Sequence, residues 1–246
     1  MLKKIQLKKI NLVILFSGNG SNMQNIIQTL HNKEFLQSQE WGQKSREHTQ
    51  EREAGQNNTE SQKEVAQNQS QNHPQNELQK EKIIINIPAC ITNNPNAYGI
   101  KRCKDLGIAC EILSHKEFAT KEAFESALVA CIQKYHPDLT ILAGFMRILS
   151  PIFTDTIPSI NIHPSLLPKH KGANAIKDTY LSDDKEAGVS VHWVNEILDG
   201  GEIITQRAIP KIAGESLQDF ENRIHQLEYT LYPQAILEAL NLSSAV

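Results

Sequence analysis

The chain alternates between two hydrophobic rhythms, and this limits its fold more than any other feature. Short continuous apolar runs read as buried strands: Asn11–Phe16, Ile83–Ile91, Ile108–Leu113 and Leu139–Ala143. Between them lie stripes at helical spacing. Met23, Ile26, Ile27 and Leu30 recur at i, i+3, i+4 and i+7. Ala97–Leu106 reads as a short helix stopped by Gly107, and Phe124, Leu128, Cys131, Ile132 and Tyr135 mark another that ends before His136-Pro137. Strands separated by helices need crossover connections. The pattern therefore predicts an α/β architecture: a mostly parallel twisted sheet flanked by helices, in a single domain.

The second half keeps the theme with a different connection. Ser159–His163 is a short strand closed by Pro164. In Gly188–Val194, Val189, Val191 and Trp193 alternate with Ser190 and His192, the signature of a half-buried strand. Asp199-Gly200-Gly201 forms a turn, and Ile203–Ile209 returns as the hairpin partner. A last helix runs from Leu217 toward Leu240 with Phe220, Ile224, Leu227 and Leu231 inward. Pro233 is expected to kink it or divide it in two.

One stretch has a different character. From Gln37 to Lys82 the chain is mainly Gln, Asn, Glu, Lys and Ser, with Trp41, Val65 and Leu78 as its larger apolar residues. Such a segment buries too little surface to offset its ordering entropy, so a disordered polar insertion after the first helix is expected. Over the whole chain the composition is that of a soluble globular protein, 39% hydrophobic and 22% charged. A net charge of −3 gives no reason to expect nucleic acid or a membrane as partner. The basic start (Lys3, Lys4, Lys8, Lys9) leads into a short apolar run broken by Asn11, which suits a strand better than a secretory signal. The four cysteines, Cys90, Cys103, Cys110 and Cys131, lack C-x-x-C spacing and read as thiols in a reducing, cytoplasmic setting.

Three places carry chemistry. Ser17-Gly-Asn-Gly-Ser-Asn22 turns from the first strand into the first helix. Unpaired N–H groups and the helix dipole favour an anion there, and Ser21 and Asn22 add short donors suited to a helix N-cap. The third glycine of a dinucleotide fingerprint is replaced by Met23, and no P-loop lysine occurs between Lys9 and Lys33. The turn suits a single phosphate, such as a phosphosugar's, although a ligand-free tight turn reads the same way. At the second place, Asn161 and His163 lie two apart in a strand and project from one face, an amide beside an imidazole. A structural histidine is the competing account. At the third, Asp199 precedes two glycines and could orient a histidine, or simply form an Asp-Gly turn.

Together these stretches resemble the glycinamide ribonucleotide formyltransferase family: SGNGSN (17–22), AGFMRILSP (143–151), NIHPSLLPKHKG (161–172), SVHWV (190–194), LDGG (198–201) and QLEYTLYP (226–233). The resemblance implies the Rossmann-like formyltransferase fold and transfer of a formyl group from 10-formyltetrahydrofolate to the amine of 5′-phosphoribosylglycinamide, a step of purine biosynthesis. It also implies direct attack through a tetrahedral oxyanion, with no metal, by a monomer or homodimer. Gly20, Ser21 and Asn22 would then hold the substrate phosphate, and Glu228 the ribose. Asn161 and His163 would meet the formyl oxygen, with Asp199 beside His163 and His192 as a support. Met146, Arg147, Ile148 and Leu149, with Asn195, Glu196, Ile197, Leu198 and Asp199, would line the folate pocket. Lys121 stands where better-known members have an arginine near the folate's glutamate tail; it keeps the charge but loses the bidentate fork. A formyltetrahydrofolate hydrolase, with water in place of the amine, would use the same trio. A non-catalytic phosphosugar- or folate-binding protein on this fold is the other alternative.

Overall fold

The computed structural model describes residues 7–37 and 81–244. The first strand, β1 (Lys8–Phe16), lies in the middle of the sheet, and its two faces feed two cores. Leu12, Ile14 and Phe16 pack on one side with Ile26, Ile27, Phe220, Ile224 and Tyr232, while Val13 and Leu15 pack on the other with Phe124, Leu128 and Phe153. The period-two alternation of strand side chains produces this division. Burial on both faces explains why β1 reads as a continuous apolar run.

After β1 come α1 (Ser21–Leu30), β2 (Glu34–Gln37), β3 (Lys82–Thr92), α2 (Gly99–Asp105) and β4 (Ala109–Ile112). A single turn of 3₁₀ helix (His115–Glu117) leads to α3 (Lys121–Gln133), β5 (Leu139–Leu142), α4 (Pro151–Thr154) and β6 (Ser159–His163). The chain closes with α5 (Ala175–Leu181), β7 (Glu186–Trp193), β8 (Ile203–Pro210), α6 (Leu217–Ala239) and β9 (Leu242–Ser244). The sheet order is β8-β7-β6-β5-β1-β3-β2-β9, with β4 also paired to β3. β1, β3, β4, β5 and β6 run parallel, and the antiparallel hairpin β7–β8 extends one side. Among the described residues, no helix is long and apolar enough to cross a membrane.

Two strands go beyond the sequence expectation. β2 pairs antiparallel with the first residues of β3, and β9 pairs with β2. β3 is long enough to take β2 along its first half and β4 along its second, both on the same edge. This also corrects the boundaries of the polar insertion. Gln37 belongs to β2 and Lys82 to β3, and Gln37 N–H donates to Glu81 O at 3.4 Å. Ladder hydrogen bonds order these polar residues where composition alone would not. The expected disorder of the insertion concerns positions outside the described residues.

α6 decides one of the two outcomes expected at Pro233, division of the helix. It runs unbroken from Leu217 to Ala239 with Pro233 inside it. A proline in a helix strips the carbonyl four residues earlier of its donor. Here that carbonyl belongs to Tyr229, and the side chain of Asn25 on α1 donates to it at 2.8 Å. The lost bond is replaced from a neighbouring helix, so α6 is not divided. All four cysteines are free thiols.

Candidate active site

The parallel strands end on one side of the sheet, and the loops that follow them build two adjoining cavities. Such a crevice at the carboxyl ends of strands is where open α/β sheets bind ligands. The first cavity, about 550 Å³, is lined by residues 17–22 after β1, 93–96 after β3, 114–116 after β4, and Ala143, Gly144 and Met146 after β5.

Gly20, not Ser21 or Asn22, occupies the N-cap of α1, at φ 73° and without a side-chain cap. Ser21 and Asn22 are the first helical residues. Among the described residues no side chain caps the first-turn N–H groups, which suits an anion. Two glycines permit the geometry. A Cβ on Gly20 would lie 2.9 Å from the Cα of Gly99, and one on Gly99 would run into the Phe16 ring. Arg102 clamps the turn from outside, donating from Nε to Asn19 O at 2.9 Å and from a terminal nitrogen to Asn19 Oδ1 at 3.0 Å. The Asn22 Oδ1 atom is buried with no hydrogen-bond partner among the described residues.

The second cavity, about 320 Å³, shares Gly144 and Met146 with the first. Its walls are the loop 144–149, the end of β6 with Asn161 and His163, and the loop 194–199. Met146, Ile148, Ile197 and Leu198 are large apolar side chains left exposed around it, Met146 by 69% and Ile197 by 59%. Such a cluster at a cavity mouth marks a surface for an apolar ligand.

Asn161, His163 and Asp199 converge on this cavity. His163 is buried, with Nδ1 3.5 Å from Asp199 Oδ2 and Nε2 2.8 Å from the carbonyl oxygen of His170. A carbonyl only accepts, so Nε2 carries a proton in this arrangement. Asp199 sits at φ 47°, and its Oδ2 accepts from the Gly172 amide at 2.9 Å. Burial opposes the charge on Asp199, but the His192 imidazole, the Gly172 amide and the His163 imidazole outweigh it and hold the carboxyl below its ordinary value. His192 lies behind the pair. Its Nδ1 donates to Trp193 O at 2.8 Å, and its Nε2 lies 3.3 Å from the Asn161 amide nitrogen and 3.7 Å from Asp199 Oδ1. The Asn161 amide carries two N–H groups, so one remains beyond the one nearest His192. Gly201 lets this corner close, because a Cβ there would lie 1.8 Å from Trp193 O.

Two of the expected residues stand apart. Lys121 lines neither cavity; it opens α3 with Nζ 3.5 Å from Oε1 of the buried Glu125. Glu125 in turn accepts from Ser150 N, fixing the far end of the loop 143–150. Glu228, also buried, lines neither cavity, and its Oε2 is 2.7 Å from His225 Nδ1. Sequence reasoning passed over Asn93, Asn94, Asn96, Ser114, His115 and Lys116 of the first cavity, and Arg102 behind it. The Asn-Asn-Pro-Asn turn after an apolar run was the available signal.

Comparison with known proteins shows the family of the chain. The formyl transferase family profile matches residues 64–236. The chain belongs to the formyl transferase family. This formyltransferase is 34% identical over 229 residues to the phosphoribosylglycinamide formyltransferase of Escherichia coli K12, covering 92% of its own length and 85% of the relative's. It is 38% identical over 152 residues to the enzyme of that name from Haemophilus influenzae, covering 61% and 72%. The crystal structure of phosphoribosylglycinamide formyltransferase from Campylobacter jejuni superposes with a TM-score of 0.73 at 40% identity, covering 96% of this chain and all of that one. Among the described residues, no group of three or more His, Cys, Asp or Glu is placed to hold a metal ion.

Proposed function

We propose that this formyltransferase moves the formyl group of 10-formyltetrahydrofolate onto the free amine of 5′-phosphoribosylglycinamide, a step of purine biosynthesis. The observation that carries the proposal is the meeting of two unlike cavities. One is rich in amides and begins at an uncapped helix N-terminus; the other is rimmed by exposed apolar side chains and holds Asn161, His163 and Asp199. The first suits the phosphate and ribose, and the second suits the flat folate ring system. Their shared wall at Gly144 and Met146 is where amine and formyl carbon would face each other.

The chemistry follows from what these side chains can donate and accept. As the amine nitrogen bonds to the formyl carbon, the carbonyl oxygen becomes an oxyanion. In this reading an N–H of Asn161, which lines the cavity, donates to that oxygen, and a preorganised donor of this kind lowers the barrier without reorganisation. His163 becomes the second donor when the His170 carbonyl swings away from Nε2; His170 lies in a turn at φ 50°. A proton on Nδ1 then completes the ion pair with Asp199. The proton lost by the amine passes to the folate nitrogen as its bond to carbon breaks, with Asp199 and a water as the relay. In this scheme Gly20, Ser21 and Asn22 hold the phosphate. Glu228 reaches the ribose by leaving His225, and Lys121 reaches the glutamate tail by leaving Glu125.

Following the formyl folate by absorbance, with and without phosphoribosylglycinamide, tests the proposal. Consumption that depends on the nucleotide is expected. Equal consumption without it would establish a hydrolase instead. No consumption in either case, with both ligands bound, would leave a binding protein.

A further inference from the structure

We propose that Ser17 is a positioning residue whose hydroxyl couples the two cavities, so that each ligand strengthens the binding of the other. The inference rests on the assignment of the cavities to phosphosugar and folate. Ser17 is the first residue after β1, and all its polar groups are used on other loops. Its N–H donates to Gly144 O at 3.0 Å, and its carbonyl accepts from Asn94 Nδ2 at 3.0 Å. Its hydroxyl donates to Asn93 Oδ1 at 2.6 Å and accepts from Met146 N at 2.9 Å.

The direction of these bonds matters. A hydroxyl has one proton, and giving it to Asn93 turns a lone pair toward the Met146 amide. Met146 lies in a tight turn closed by Arg147 N–H on Phe145 O at 2.9 Å. With Gly144 it forms the wall common to both cavities. The phosphate turn, 18–22, continues directly from Ser17. A ligand that orders this turn therefore orders the Met146 amide, and through it one side of the folate cavity. When two sites share an element that each must order, the second ligand pays less than the first, and the effect is reciprocal.

Calorimetric titrations decide the matter. The ligands are phosphoribosylglycinamide and tetrahydrofolate; the latter lacks the formyl group, so the ternary complex does not turn over. Each is titrated alone and with the other saturating, and the ratio of the two affinities is the coupling factor. The wild-type factor is expected within the usual span of about 5 to 150. In Ser17→Ala it should fall to within about twofold of one, whatever happens to either affinity alone. Ser17→Thr keeps a hydroxyl and should restore it. Asn93→Ala frees the hydroxyl to turn and should lower the factor even with Ser17 in place. The same loss of coupling in the Asn93→Ala, Ser17→Ala double variant as in Ser17→Ala would place both residues in one connection.

A wild-type factor of one overturns the proposal. So does a Ser17→Ala protein that loses affinity for both ligands while keeping the factor, since that marks a packing role. Should Ser17→Ala not fold, the Asn93→Ala measurement decides by the same criterion. Failure of the wild-type protein to bind either ligand alone would refute the cavity assignment itself, a result visible before any variant is made.

Discussion

Replacing Asp199 by asparagine isolates the charge that faces His163. Asparagine is nearly the same size and tolerates the left-handed backbone found at φ 47°. Its carbonyl oxygen can still accept from Gly172 N–H, the bond seen at 2.9 Å. What disappears is the negative charge 3.5 Å from His163 Nδ1. Two unit charges at that separation interact by about 5 kcal/mol at an effective dielectric constant of about 20. That figure is a ceiling, because the pair loses hydration when it is buried. The expected loss in kcat is on the order of 10²–10³, or about 2.7 to 4 kcal/mol, the span seen when a preorganised donor is removed. Nucleotide affinity should hold, since Asp199 does not line the first cavity. His163→Ala should cost at least as much, and the double variant far less than the sum, because either loss disables the unit.

The pH dependence gives a second check. The carboxyl of Asp199 is held below its ordinary value of 3.8, so its contribution to stability is present above that pH and is lost only as pH falls through the lowered folded value. Asp199 is therefore ionised throughout the neutral range, and its own titration should not appear in a rate profile between about pH 5 and 8. Steady-state kinetics with saturating nucleotide would measure all three variants. Strict additivity of the two substitutions, or a kcat for Asp199→Asn within about threefold of wild type, about 0.6 kcal/mol, would refute the reasoning.

Other outcomes follow from the same geometry. Replacing residues 38–80 by a short Asn-Gly hairpin turn should leave kcat/KM within about tenfold, about 1.4 kcal/mol, because Gln37 and Glu81 already meet; a larger loss would place the segment in the site. Gly20→Val should weaken phosphoribosylglycinamide by about tenfold or more while sparing tetrahydrofolate, since the new Cβ meets Gly99 and a β-branched residue resists φ 73°. Equal weakening of both ligands in separate titrations would mean general unfolding. Asn25→Ala strips the donor from Tyr229 O and should cost about 1 to 3 kcal/mol, read as a fall of about 2 to 4 °C in Tm for each kcal/mol. An unchanged Tm would mean that α6 tolerates Pro233 without Asn25.

What could be read from the sequence depended on how far apart the cooperating residues lie. β1 and α1 were legible because their burial is written in local periods, Leu12–Leu15 in one and Met23, Ile26, Ile27, Leu30 in the other. β2 and β9 were not, since Glu34–Gln37 and Leu242–Ser244 have little intrinsic strand character and take their form from β3 and from each other. Whether Pro233 divides its helix could not be read for the same reason: the residue that compensates for it is Asn25, far away in the chain. In the site, Asn161 and His163 could be paired by strand period alone. The nearness of Asp199 came only from the family resemblance. Asn93, His115 and Lys116 needed the strand order β4-β3-β1-β5 before they could be placed beside the phosphate turn. Lys121 and Glu228 show the opposite case, expected from resemblance but engaged with Glu125 and His225.

The hairpin formed by β2 and β3 has a consequence for how the polypeptide can be cut. A protease acting anywhere between residues 38 and 80 would leave two pieces, and neither could keep its place without the other. The smaller piece carries β1, which pairs with β3 on one side and β5 on the other, and α1, which supports α6 through Asn25. It also carries the phosphate turn, while Asn161, His163 and Asp199 stay on the larger piece. Made as two separate chains, the fragments would form a complementation pair whose activity reports their reassembly.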